Sequence, residues 1–399
     1  MRGRAGKDLM RSVSCKWVSR VAATGLACLT LAGCGPHDFP EYPANYREYA
    51  YVTNGGSGTV SVLDVVNVRL DREIAVGQNP VAVAASPTKN EIYVVNSGAA
   101  GASGSISVID AARNAVSATI AVHRQPVSID VDPDGRLAYV ANSGSNTVSV
   151  IDMNARREIA TIGVGEKPQA VRVSADGKTL VSANRGGNSV SVVDAASRRV
   201  RAVFEGCPGA SDVVIQHDSL KAFAACADGH QIMAIALATD AQKDQPRQPD
   251  KMEALLDVGR APVHLTLKPD SGETFVMNSL SNSVSEVYNS TDEVGSTYLM
   301  GNGPAYGAVT KDNSLLYVAN SRSQYVTLYS IDDGRRAGSV HVGDGPSAMA
   351  FSTAGHLLFV VDTGTDDVAA IRTSTRSLLT LLPAGRGPNA IAVKGFSVK

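Results

Sequence analysis

The sequence predicts an all-β fold, a β-propeller of eight four-stranded blades, and three observations carry that expectation. One motif is written eight times along the 399 residues. Its copies are spaced at a near-constant interval of about 42 residues. Each interval holds four short runs of β-branched or alternating apolar residues, separated by the Gly, Asn and Asp clusters that hairpin turns require. Seven blades is the alternative count, with one of the weaker copies peripheral.

The motif reads as a strand, a tight turn and a second strand. YVTNGGSGTVSVLD at 51–64 returns as YVVNSGAAGASGSISVID at 93–110, YVANSGSNTVSVID at 139–152 and SANRGGNSVSVVD at 182–194. Weaker copies begin at 223, 275, 317 and 359. Between copies lies a glycine turn, a proline and an apolar strand, as in VGQNPVAVAASPTKN at 76–90. These prolines are Pro80, Pro126, Pro168, Pro208, Pro262, Pro304, Pro346 and Pro388, at intervals of 46, 42, 40, 54, 42, 42 and 42. Each fixes φ where the innermost strand begins.

Four antiparallel strands per step make a propeller blade, and no stretch keeps the 3.6-residue period of a helical repeat. The chain joins the ring near Tyr49 without an innermost strand of its own. It ends on a lone strand of that type, Asn389 to Val393. That strand is expected to complete the first blade and leave no open sheet edge. Asn54, Asn96, Asn142, Asn184, Asn278 and Asn320 are expected to be turn residues, since Asn tolerates positive φ. Asp64, Asp110, Asp152 and Asp194 end the third strand and suit the next turn.

The YVTN…TVSVID repeat followed by G-x-x-P resembles the YVTN β-propeller repeat family over residues 49–399. The resemblance implies the propeller fold and says little of activity. Relatives by fold include the haem d1 domain of cytochrome cd1 nitrite reductase and the propeller lactonases.

Residues 1–33 read as a signal segment. Six basic residues face one acid in the first 20, and a 12-residue apolar run, Val21 to Ala32, follows. That run is too short to cross about 30 Å of hydrocarbon. Leu31-Ala32-Gly33-Cys34 resembles the lipobox of bacterial lipoproteins. By that resemblance Cys34 becomes the lipid-bearing first residue, and residues 34–48 a tether to a propeller at 49–399. Gly35 after the cysteine implies the outer membrane.

Loss of residues 1–33 leaves 31 basic against 37 acidic groups, a balance of −6, which argues against nucleic acid as a partner. It also removes Trp17, the single tryptophan. Quinoprotein and WD-repeat propellers depend on tryptophan, so both are excluded. No C-x-x-C-H, G-x-S-x-G, H-E-x-x-H or P-loop pattern occurs. The chain is expected to be a monomeric ring.

Sites should break the repeat. Cys207 and Cys226 stand at the same end of adjacent strands, and with Cys34 lipidated they form the pair left to make a disulfide. Four residues are inserted at Ala99–Ala102 and a polar stretch at Thr239–Lys251. At the second and fourth positions after the proline, three innermost strands carry alanine: Ala82/Ala84, Ala348/Ala350 and Ala390/Ala392. The others carry Ser128, Asp130, Arg172, Asp212, His264, Thr266 and Tyr306 at such positions. Asp130, Arg172, Asp212, His264 and Tyr306 therefore gather as a candidate ligand site at the channel mouth. The function expected first is a non-catalytic envelope scaffold without cofactor, binding a protein, a glycan or a small ligand. The alternative is a haem d1-like tetrapyrrole carrier or a lactonase-like enzyme, with His264 as axial ligand and Arg172 meeting carboxylates.

Overall fold

The computed structural model describes residues 40–238 and 248–398. The signal segment, Cys34 and most of the insertion at 239–251 lie outside the described residues. Among the described residues are 32 strands, from β1 (Tyr46–Asn54) to β32 (Pro388–Ser397), in eight four-stranded antiparallel sheets. Seven sheets take four consecutive strands each. The first combines β1, β2 (Thr59–Asp64) and β3 (Arg69–Ala75) with β32, in the order β3-β2-β1-β32. The eighth copy is therefore a full blade, and the alternative of seven falls. Strand β1 starts at Tyr46, which pairs with Ser397, so the last three residues of the expected tether belong to the sheet.

The innermost strands are β4 (Pro80–Ala85), β8 (Pro126–Val131), β12 (Pro168–Val173), β16 (Ala210–Ile215), β20 (Pro262–Leu267), β24 (Pro304–Val309), β28 (Pro346–Phe351) and β32. Each packs on the next, and β32 packs on both β28 and β4, so the ring closes. Blade-to-blade packing is mainly aliphatic. Val181, Val190 and Val192 of one blade meet Ala222, Ala224 and Met233 of the next, for example.

The repeat asparagines correct the sequence reading. None of the six has positive φ. They are buried, and each side-chain amide donates across to a hydroxyl on the third strand. Asn54 reaches Ser61 at 2.9 Å, Asn96 reaches Ser107 at 2.9 Å, and Asn142 reaches Ser149 at 2.8 Å. Asn184, Asn278 and Asn320 reach Ser191, Ser285 and Thr327 at 2.9, 2.9 and 3.0 Å. The hydroxyl of the TVSV segment thus takes one N–H of a buried amide, whose other donor goes to a second acceptor, such as Thr59 for Asn54 at 3.0 Å and Ser105 for Asn96 at 3.2 Å.

The same asparagine explains the glycine of G-x-x-P. A Cβ at Gly77 would come within 2.6 Å of Asn96 Cγ, and one at Gly301 within 2.6 Å of Asn320 Cγ. The left-handed residue is the one just before the innermost strand: Asn79, Gln125, Lys167, Gly209, Ala261, Gly303, Gly345 and Gly387 all have positive φ. The aspartates behave as expected of turn residues. Asp64 accepts from the Asn67 N–H at 3.1 Å and Asp194 from the Ser197 N–H at 2.7 Å.

Candidate functional site

Cys207 and Cys226 are joined by a disulfide, with Cα atoms 4.7 Å apart. Its register corrects the proline count. Strand β16 opens at Ala210, which faces Cys226 as Pro168 faces Asn184. Ala210, not Pro208, is the repeat position, and Gly209 is its left-handed predecessor. Asp212 is then the first of its strand's two inner positions, level with His264 and Tyr306, while Asp130 and Arg172 hold the second, one step deeper.

Five consecutive innermost strands bring these residues together. Asp130 on β8 spends both oxygens on backbone N–H groups, Val131 at 3.0 Å and Val173 of the next blade at 2.9 Å. Arg172 on β12 donates to Asp212 Oδ1 at 3.3 Å and to the Val171 carbonyl at 3.0 Å. Asp212 on β16 meets His264 Nδ1 with Oδ2 at 2.9 Å and accepts from the Leu265 N–H at 3.1 Å. His264 on β20 stacks on Tyr306 of β24, ring centroids 4.1 Å apart and planes 15° apart. Side chain thus follows side chain round more than half of the ring.

The electrostatics follow from this order. Burial alone would push the Asp212 carboxyl up; the His264 hydrogen bond and Arg172 overcome it and hold the group below its usual range. Burial likewise opposes the Arg172 charge, and Asp212 and Asp130 together keep its pKa above the ordinary value. Asp130 goes the other way, because burial outweighs the attraction of Arg172. Burial also raises the Tyr306 phenol. Arg172 is more accessible than Asp212 or His264, with 35% of its side chain exposed against 8% and 17%.

Much of this network closes the sheet edges that face the axis. Ser211 donates to the Pro262 carbonyl at 3.0 Å and Thr266 to that of Gly307 at 3.0 Å, each across a blade boundary. What the edges do not use is the second nitrogen of His264: among the described residues, Nε2 has no hydrogen-bond partner. Sequence reasoning missed Lys394. It continues the two-residue step of Ala390 and Ala392 on β32 and donates to the Ser86 carbonyl at 2.6 Å. Burial lowers its pKa. The same step along the other innermost strands would have found it. Among the described residues no three His, Cys, Asp or Glu side chains converge to hold a metal ion.

Comparison with known families matches residues 99–206, just over a quarter of the chain, to the Cytochrome D1 heme domain. That stretch includes Asp130 and Arg172. A search of the curated proteins finds no match. Among solved structures, dihydro-heme d1 dehydrogenase NirN in complex with DHE superposes with a TM-score of 0.70 at 13% identity, covering 89% of this chain and 76% of that one. Hydrazine synthase of Kuenenia stuttgartiensis gives 0.55 at 21% identity, covering 81% and 92%. A protein of Bacteroides uniformis ATCC 8492, provisionally assigned as a 6-phosphogluconolactonase, gives 0.60 at 15% identity, covering 87% and 99%. At these identities the likeness establishes the propeller fold.

Proposed function

We propose that the chain is a binding propeller whose axial site takes a tetrapyrrole. The observation that carries this reading is the His264 imidazole. Asp212 holds its Nδ1 and Tyr306 stacks on its face, leaving Nε2 as the nitrogen able to ligate a metal. A carboxylate on the far ring nitrogen is the usual way a ligating histidine is oriented. The six alanines of β4, β28 and β32 put small side chains on the opposite side of the ring. The Cytochrome D1 heme domain match and the NirN superposition support the same choice.

The residues present fit such a group through the imidazole more than through charge. Arg172 is already shared between Asp130 and Asp212, so it contributes orientation of a carboxylate edge rather than the main attraction. A bound tetrapyrrole would supply a metal centre; this chain's part is to hold, orient and enclose it. Titration of the purified protein with ferric haemin tests the reading. A saturable shift of the Soret band that is lost in His264→Ala and kept in Tyr306→Phe is the expected result. No saturable shift with the wild type overturns it.

A non-catalytic scaffold for an envelope protein, a glycan or another small ligand is the second reading. It is favoured by Asp130, whose oxygens are both spent on backbone. Lipid attachment at Cys34 would place either version at the outer membrane, on its periplasm-facing side or at the cell surface. Incorporation of labelled fatty acid that stops in Cys34→Ala tests the anchor.

A further inference from the structure

Two neighbouring grooves between blades share one arrangement. A tyrosine of the second strand sends its hydroxyl toward the residue that precedes the outer strand of the next blade. Between the first two blades Tyr51 donates to Asn114 Oδ1 at 2.6 Å. In the next groove Tyr93 donates to Glu91 at 2.9 Å, and Glu91 is paired with Arg156, which holds the position of Asn114 one blade on.

Between the seventh and eighth blades the same place is a cavity of about 420 Å³, within the range of small-molecule sites. Tyr317 forms its floor. The residue is fully buried, and its hydroxyl has no hydrogen-bond partner among the described residues. Burial raises its pKa, so it stays a neutral donor. Phe351 stands edge-on to Tyr317 at 5.8 Å, and Leu315 extends this apolar wall. Arg376 holds the place of Asn114, and Lys311 also lines the cavity. The one carboxylate there, Asp312, accepts from Ser314 Oγ at 2.8 Å and from the Thr310 hydroxyl at 2.5 Å. The lining therefore carries a net positive charge, an apolar wall and an unpaired donor at its base. A buried hydroxyl without a partner is a cost that a ligand acceptor would remove.

We propose that this cavity is a second ligand site, for a small organic carboxylate. The carboxylate meets Arg376 and Lys311, the apolar body lies on Phe351 and Leu315, and an acceptor oxygen at the far end takes the Tyr317 O–H.

4-Hydroxybenzoate is a suitable probe, with uncharged 4-hydroxybenzyl alcohol as control. Ligand-induced thermal stabilisation and chemical-shift titration give the readout. The acid is expected to bind saturably and the alcohol not to bind. Tyr317→Phe and Arg376→Gln should each weaken binding about tenfold. Without probe, Tyr317→Phe should melt at or above the wild-type temperature, because it removes an unpaired buried hydroxyl. Absence of saturable binding, binding undiminished in both variants, or destabilisation by Tyr317→Phe alone would each overturn the proposal. His264→Ala should bind the probe like wild type, which separates this site from the axial one.

Discussion

Cys207 and Cys226 stand in the fifth blade where Gly77 and Asn96 stand in the second. The disulfide runs through the space in which, elsewhere, a glycine makes room for an asparagine side chain. The hydroxyl partner has gone as well: Met233 holds the position of Ser107. Three residues changed together, since a cystine needs no amide acceptor and leaves an apolar slot.

Removing the bridge with Cys226→Ser should cost about 3 kcal/mol for a closed loop of this length. Installing Gly at 207 and Asn at 226 alone should recover little, because the amide would face Met233. Adding Met233→Ser should recover more of the loss. Denaturant unfolding of the single, double and triple variants checks the order.

The Asn–hydroxyl pairs should behave as buried couples. Ser149→Ala removes the shortest contact of the Asn142 amide, leaving those to Thr147 and the Val140 carbonyl at 3.3 Å, and should cost about 1 kcal/mol. Asn142→Ala in addition should cost less than the two single changes summed. A double-mutant cycle by thermal unfolding reads the coupling.

In the eighth blade Asp362 replaces the asparagine, and Ala369 replaces the serine. Asp362 is fully buried and takes the Gly343 N–H at 2.9 Å, with Asp367 beside it. Burial, then repulsion from Asp367, pushes its pKa up to about 8. The folded state therefore holds a proton that the unfolded chain releases near the ordinary carboxylate value. This contribution is complete at acid pH and is lost as pH rises through about 8. Asp362→Asn should flatten that dependence, its gain over wild type growing from about pH 4 to about 8 and holding above that. Melting temperatures of both proteins across the range decide it.

Arg172→Met leaves Asp130 and Asp212 without their shared cation. The Arg172 side chain is 35% exposed, so the loss is expected at about 2 kcal/mol, below that of a fully buried pair. Asp212→Asn in the same background should restore part of it. A further loss with the second change would show that Asp212 is held by His264 and Leu265 rather than by Arg172.

Of the candidate site, the sequence named the members and missed the order. Asp130, Arg172, His264 and Tyr306 were visible as departures from alanine in a repeated column. Asp212 was visible too, but Pro208 misled the register by two residues, because a proline in the turn imitates the proline of the strand. That Arg172, Asp212, His264 and Tyr306 touch in succession follows only from ring closure, which sets residues about 42 apart in sequence side by side.

The repeat by itself determined the propeller fold and the closing role of the last strand, and the structure decided for eight blades over seven. Period-2 patterning and turn residues are local, and eight equal units leave one way to bury their faces. Tertiary structure decided what the repeated residues do. Asn54 and its equivalents looked like turn formers because that is what asparagine does locally. Across the hairpin each is a buried donor to a serine or threonine of the next strand, seven residues on, or eleven in the second blade where the loop is longer, and its bulk is why a glycine must stand opposite. Local chemistry sets conformation; only packing shows which polar atom needs which partner.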